Sequence, residues 1–202
     1  MMYASPVVYV VDDDESVRRS LKRLLAAAGL NVETFPSAAD FLSFDLYDRP
    51  GCLVLDVSMP GMTGLELQKK LNALNIVIPI IFITGFGNVP TSVQAMKAGA
   101  IDFLEKPFDD RTLIDAVHRA IERDAKRRRR ESEFLAVKNR WERLTNRERE
   151  VFALVVTGML NKQVASQLGV TEKTVKVHRA RVMRKMTARS LADLVRLSEK
   201  LK

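Results

Sequence analysis

The run from Cys52 to Val57 is apolar at every position but Asp56, and Ser58, Met59, Pro60 and Gly61 follow it. A strand that is hydrophobic on both faces has to be covered on both, as in the middle of a parallel sheet with helices above and below. The Pro-Gly pair stops it. Asp56 is thereby carried to the carboxyl end of a strand, where open α/β sheets receive their ligands. Taken alone, it is either a site carboxylate or the cap of the loop that follows.

The rest of the first half supplies partners for that strand. Val7 to Val11 is a second apolar run and ends in Asp12, Asp13 and Asp14. After it Val17, Leu21, Leu24, Leu25 and Ala28 share one helical face, and Gly29 supplies a left-handed stop. A short strand is expected over Val32 to Phe35, then a helix opened by Ser37 with Asp40 three residues on. Beyond the Asp56 strand come a helix over about Leu65 to Ala73, a strand Pro79 to Ile83 ending in Thr84, and a helix around Thr91 to Lys97. A fifth strand at about Ile101 to Leu104 runs into Glu105, Lys106 and Pro107, and Asp109 caps the next helix. Strands alternating with helices predict repeated βα units, hence a doubly wound, five-stranded parallel sheet of flavodoxin-like type.

Charge divides the chain. Residues 1–122 hold 11 Lys and Arg against 16 Asp and Glu, whereas residues 123–202 hold 22 against 9. An acidic half and a strongly basic half suggest two domains with different partners, the basic one suited to nucleic acid or an anionic membrane surface. No apolar run approaches a membrane span and the start lacks a charged segment ahead of a hydrophobic one, so the expectation is a cytoplasmic protein without a membrane partner. The lone cysteine, Cys52, excludes an internal disulfide and reads as a core thiol.

Residues 123–143 contain neither Gly nor Pro and begin with the run Lys126 to Arg130, which predicts a mostly helical, basic linker. That run either grips phosphate or forms a solvated helix face. Residues 144–202 then read as four short helices. Thr145 with Glu148 makes a capping box, Asn161 starts a second helix that Gly169 ends, Thr171 caps a third running to about Met186, and Ser190 opens a fourth. Helix, tight turn with Gly, basic helix is the pattern of a helix-turn-helix.

Strand ends bring Asp12, Asp13, Asp56, Thr84 and Lys106 to one edge. Converging carboxylates repel one another unless a hard divalent cation joins them, and Mg²⁺ takes such oxygen donors while keeping waters and a phosphoryl group. A lysine and a hydroxyl beside it suit phosphoryl transfer onto a carboxylate.

These motifs carry a resemblance. Val10 to Arg18, Asp56 with Met59-Pro60-Gly61 and Gly64, Thr84-Gly85, and Phe103 to Phe108 resemble the receiver domain of a two-component response regulator. Leu144 to Val151, Asn161 to Ala165 and Val170 to His178 resemble the helix-turn-helix domain of the LuxR class. Gly85-Phe86-Gly87-Asn88-Val89-Pro90 and Gly99 to Phe103 are similar to the FixJ branch of the FixJ/NarL class. The resemblance implies a receiver over 1–122, the linker over 123–143 and an all-α four-helix DNA-binding domain over 144–202. It implies a transcriptional regulator activated by phosphorylation: a phosphoryl acceptor, slowly autodephosphorylating at most, rather than a turnover enzyme.

The same resemblance makes Asp56 the phosphoacceptor, served by a sensor histidine kinase. Asp13, Asp56 and the Ser58 backbone carbonyl would hold Mg²⁺, with Asp12 acting through water. Lys106, on a cis bond to Pro107, would meet the phosphoryl group, and Thr84 and Phe103 would form the switch. Homodimerisation on phosphorylation would use the fourth helix and fifth strand. Promoter DNA is the implied ligand of the second domain, with RNA polymerase a further partner. On the third helix of that domain, Val175, Val182 and Met186 are expected inside, and Lys173, Lys176, Val177, Ala180, Arg181 and Arg184 outside. Lys176, Val177 and Arg181 are candidate base readers, Lys173 lies beside them, and Arg184 and Lys185 are candidate phosphate contacts. His178 is expected to pack rather than switch. A hydrolase using Asp56 as a transient nucleophile is the contrasting class, and it is disfavoured because no second acid remains to act as general base.

Overall fold

Among the described residues of the computed structural model, 5–46, 48–85 and 89–201, five strands form one parallel sheet in the order β2-β1-β3-β4-β5. These are β1 (Val7–Val11), β2 (Asn31–Phe35), β3 (Gly51–Asp56), β4 (Ile80–Thr84) and β5 (Asp102–Glu105). The helices between them are α1 (Glu15–Ala27), α2 (Ala38–Leu42), α3 (Gly64–Ala73) and α4 (Val89–Lys97), and α5 (Asp110–Glu142) follows β5. The chain divides into two compact units, one ending at Arg128 and one beginning at Arg129.

The strand alternation builds the first unit. Tyr9, Val11, Leu53, Leu55 and Phe82 point to one face, where Phe41 of α2, Leu67 and Leu71 of α3 and Ala95 of α4 cover them. Val8, Val10, Cys52, Val54, Ile81 and Ile83 point to the other, under Leu21 and Leu25 of α1 and Leu113, Val117 and Ala120 of α5. With side chains alternating across each strand, neither face of the central strands meets water. Cys52 is fully buried, and burial, followed by the charge of Asp124, pushes its thiol pKa up, as befits a core residue.

Several element boundaries differ from the sequence reading, β4 for one lying at Ile80–Thr84 and β2 beginning at Asn31. Helix α4 begins at Val89 rather than near Thr91, because Pro90 in a first turn forfeits no intrahelical hydrogen bond. The fifth strand sits one residue later than expected. Helix α5 does not stop near 122 but continues unbroken for 33 residues, since the segment has no Gly or Pro to end it. Phe86, Gly87 and Asn88 of the loop after β4 lie outside the described residues.

The second unit packs α6 (Asn146–Val155), α7 (Asn161–Leu168), α8 (Glu172–Met186) and α9 (Leu191–Glu199) around Val151, Phe152, Val164, Val175, Val182, Met186 and Leu194, with Val137 of α5. Thr145, Thr171 and Ser190 cap α6, α8 and α9 through their side-chain oxygens. Gly169, at φ 65°, ends α7 in the left-handed conformation that turns the chain into α8.

Candidate functional site: an acid pocket and a basic helix

Parallel pairing sets Val11 beside Leu55 and Asp56 beside Ile83, so the carboxyl ends of β1, β3 and β4 finish together. Asp12 follows β1 directly and is 1% exposed; Asp56 closes β3 and is 5% exposed. Lys106, just past β5, reaches back between them. Its Nζ donates to Asp12 Oδ2 and to Asp56 Oδ1, each at 2.8 Å. The other oxygen of Asp56 accepts from the Ser58 amide at 2.6 Å, and the other oxygen of Asp12 accepts from the Asp14 amide at 2.9 Å. Asp13 between them is exposed.

One ammonium thus serves two buried carboxylates. Burial raises the Asp56 pKa; the Lys106 hydrogen bond and charge and the Ser58 amide pull against it, while the charge of Asp12 adds to the rise. For Lys106 burial works against the cation, but two hydrogen-bonded carboxylates outweigh it and its pKa is raised. The ammonium is well compensated and stays charged. For Asp56 burial outweighs the bonds it receives.

The turn after β3 needs close backbone contact. A Cβ on Gly64 would lie 2.3 Å from the Asp56 carbonyl oxygen, and the Gly64 amide donates to Val57 O at 3.0 Å. Only glycine lets α3 begin so near the acid. Thr84 is fully buried at the end of β4, and its carbonyl accepts from the Lys106 amide at 2.7 Å. The Lys106–Pro107 bond is cis. Phe103 is half-buried on β5, its ring centroid 6.2 Å from that of Phe82.

Among the described residues no group of three acids is arranged to hold a metal by itself. Two carboxylates gathered on one ammonium, with an exposed Asp13 and a Ser58 carbonyl nearby in sequence, nevertheless offer the all-oxygen donor set that Mg²⁺ takes when waters and a phosphoryl group complete its shell. The residues fit such an ion.

On α8 the burial pattern follows the sequence reading. Val175, Val182 and Met186 are buried, whereas Lys173, Lys176, Val177, Ala180, Arg181 and Arg184 are exposed. Lys176 lies 3.3 Å from Glu172 in an exposed pair that solvent and salt weaken. His178 is partly buried. Lys185 has partners within its own unit: its ammonium donates to Glu148 Oε2 at 2.6 Å and to Arg143 O at 3.1 Å, and its side chain remains partly exposed.

Sequence reasoning missed a second ion cluster. Asp124 of α5 is buried and accepts from the Gly51 amide at 3.2 Å, Arg127 Nη2 at 2.7 Å and Arg128 Nε at 2.8 Å. Arg127 also donates to Val77 O, and Arg128 to Asp48. Two arginines of the basic run are therefore clamps that fasten α5 to the start of β3, neither a phosphate grip nor a solvated face. The signal in the sequence was an acid three and four residues ahead of two arginines.

The chain matches the response regulator receiver domain over residues 8–118 and the luxR family of bacterial regulatory proteins over 142–198. It is 54% identical over 195 residues to nodulation protein W of Bradyrhizobium diazoefficiens, covering 96% of this chain and 86% of that protein. It is 48% identical over 191 residues to the transcriptional regulatory protein FixJ of Azorhizobium caulinodans, covering 95% and 90%. Among solved structures, the response regulator StyR shares 49% identity at a TM-score of 0.90, covering 98% of this chain and all of that one. Acid pocket, basic helix and these likenesses agree: the chain belongs to the two-component response regulators, transcription regulators activated by phosphorylation, with a receiver followed by a LuxR-type DNA-binding domain.

Proposed function

We propose that Asp56 takes a phosphoryl group from a phosphohistidine on a sensor kinase and that the modified chain dimerises and binds promoter DNA. The observation that carries this reading is Lys106 Nζ at 2.8 Å from both Asp12 and Asp56, on residues from three different strands. An Asp56 oxygen attacks phosphorus, the phosphorus–nitrogen bond of the donor breaks, and the departing imidazole nitrogen takes a proton. Asp56 suits the role because it lies at the strand mouth with Lys106 beside one oxygen and the Ser58 amide on the other, so that an attacking oxygen and a cation for the phosphoryl group stand together. Asp13, Asp56 and the Ser58 carbonyl would hold Mg²⁺, with Asp12 acting through water; the ion would neutralise charge gathering on the phosphoryl oxygens. Lys106 then exchanges its Asp56 contact for a phosphoryl oxygen. A cavity of about 660 Å³ bounded by Lys106, with Val17, Leu24 and Phe108 among its apolar lining and Ser16, Arg23 and Asp110 among its polar lining, gives a donor protein a mixed foothold beside that lysine.

Thr84 and Phe103 serve as the switch, the hydroxyl following the new charge and the ring the space it leaves. The dimer forms through α4 and β5. Exposed Val89, Val93 and Met96 give that surface its apolar content. On DNA, Lys176, Val177 and Arg181 read bases, with Lys173 beside them, while Arg184 holds phosphate. A functional division into a receiver (1–122), linker (123–143) and DNA-binding domain (144–202) follows, for a cytoplasmic protein that meets RNA polymerase when bound to its promoter and does not turn over substrate. No helix among the described residues is long and apolar enough to cross a membrane. Incubation with a small phosphodonor and Mg²⁺, followed by mass spectrometry, tests the reading. An acid-stable, hydroxylamine-labile phosphoryl group on Asp56, absent from Asp56→Asn, is expected; modification elsewhere, or of the variant, overturns it.

A further inference from the structure

The loop that carries the acids is held from outside by one side chain. Arg18, in the second turn of α1, donates from Nη1 to the main-chain carbonyl of Asp12 at 2.7 Å. Of the four acids before it in the chain, Asp12 bonds to Lys106 and the Asp14 amide, Asp14 to the Ser16 and Val17 amides, and Glu15 pairs with Arg19, while among the described residues the hydrogen bond of Arg18 goes to that neutral carbonyl. A guanidinium bonded to a peptide oxygen fixes the backbone there.

The rest of the loop shows what it fixes. Both carboxylate oxygens of Asp12 are occupied, by the Asp14 amide and by Lys106, and Asp14 caps α1 through the Ser16 and Val17 amides. The Arg18 amide in turn bonds to Asp14 O at 3.0 Å. Residues 12 and 14 are thus tied on either side of exposed Asp13, and Arg18 touches both ties, one by its side chain and one by its backbone. The direction in which Asp13 presents its carboxylate depends on the peptide planes at 12 and 13, and the guanidinium holds the first of them.

We infer that Arg18 is a positioning residue for the divalent cation: it holds the acid loop in the shape that lets Asp13 share an ion with Asp56. The inference rests on the phosphoacceptor reading above and adds to it a residue that touches neither ion nor phosphoryl group. It makes a prediction opposite in sign to simple electrostatics. Removing a positive charge beside a cation site strengthens cation binding if charge alone matters. Removing a positioning bond weakens it.

The test titrates Mg²⁺ into the full-length chain by calorimetry, for the natural protein, Arg18→Gln, Arg18→Met and Asp13→Asn. Both Arg18 variants are expected to bind Mg²⁺ about 10-fold more weakly, the usual scale for losing a group that orients a ligand. Phosphorylation by acetyl phosphate should need correspondingly more Mg²⁺ to reach half its maximal rate, while the maximal rate stays within about twofold, since the bound state is the same once the ion is in place. Thermal unfolding in EDTA should be unchanged in Arg18→Met, whose stem fills the same space. Unchanged or tighter Mg²⁺ binding in the Arg18 variants, with Asp13→Asn impaired, overturns the inference and leaves the phosphoacceptor reading standing. If Asp13→Asn binds as the natural chain does, or the natural chain binds no Mg²⁺, the metal reading falls and takes the inference with it.

Discussion

Each unit of this protein sets a half-buried lysine against buried acid, and the two pairs are built to opposite ends. In the second unit Lys185 meets Glu148, a single carboxylate that is 2% exposed and also accepts the Thr145 amide at 2.8 Å. Burial alone would raise the Glu148 pKa, but the Lys185 hydrogen bond and the Thr145 amide outweigh it and hold the carboxyl below its ordinary range. In the first unit one lysine is divided between two carboxylates, and Asp56 is pushed the other way, chiefly by burial. A complete pair with a capping bond is a rivet. An incomplete one keeps an anion in want of a partner, which is what a reagent needs and a rivet must not have. The two pairs are thus distinguished by how far bonds to the carboxylate offset its burial and not by distance, since both lysines sit within 2.8 Å of their acids.

The largest test of this contrast breaks the rivet. Lys185→Met leaves Glu148 buried with no cation and only the bonds at Thr145, at a cost of about 3 kcal/mol to the second unit, without effect on phosphorylation. Trp141 is the single tryptophan and packs against that unit's core, so its fluorescence during urea unfolding reads the loss. A phosphorylation rate that falls with it would show that the two pairs are not independent.

The neighbouring position sharpens the comparison. Lys176→Ala is expected to weaken binding to the cognate site by about 1–3 kcal/mol and binding to random DNA by less. Arg184→Ala should weaken both alike and lower the salt slope by about one, with stability unchanged. In fluorescence anisotropy across a salt series, a change of slope in Lys185→Met as well would place Lys185 at the DNA interface.

Asp56→Asn probes the incomplete pair from the stability side. A carboxylate whose pKa is raised by folding destabilises the native state at neutral pH, so removing its charge should stabilise the first unit. Calorimetry of the full chain would register that as a higher midpoint for the transition that Trp141 does not report. A lower midpoint would mean that Asp56 is compensated after all.

The smallest effect is in the pH dependence. Glu148, with its pKa lowered, adds stability that is present above its unfolded pKa near 4.3 and is lost as pH falls through the folded value. Asp56, with its pKa raised, acts in the opposite sense, and the first unit gains from its protonation as pH falls. Acid titration followed by tryptophan fluorescence and by circular dichroism should therefore show the first unit gaining stability as pH falls toward the ordinary carboxylate range and the second losing it as pH falls below that range.

How much of this was legible beforehand depended on sequence distance. The strand mouths could be read because each carboxylate or lysine follows its own apolar run, and strand parity with the end-on rule for parallel sheets brings them together without any contact being known. The faces of α8 followed from helical period for the same reason. The Glu148 partner of Lys185 was not legible because period gives a direction and not a partner: Glu148 is 37 positions away and is brought near only when α6 packs on α8. Asp124 was invisible for the same cause, with Gly51 lying 73 positions before it. The long α5 could be seen as helical on both sides of residue 122, but a chain of good helix formers has no local mark for where one unit ends.

Gly64 has a consequence for the genetics of this chain. Every single-base missense change of a glycine codon installs a residue with a Cβ, and at this position any Cβ falls 2.3 Å from the carbonyl of Asp56. Conservative replacement is therefore not on offer to random mutation there: alanine, serine and cysteine collide with the same oxygen as the large residues do. In a saturation library Gly64 should behave as a position with two classes only, glycine and loss of signalling. It should stand out as such beside Gly85, where an added Cβ meets nothing within 4 Å.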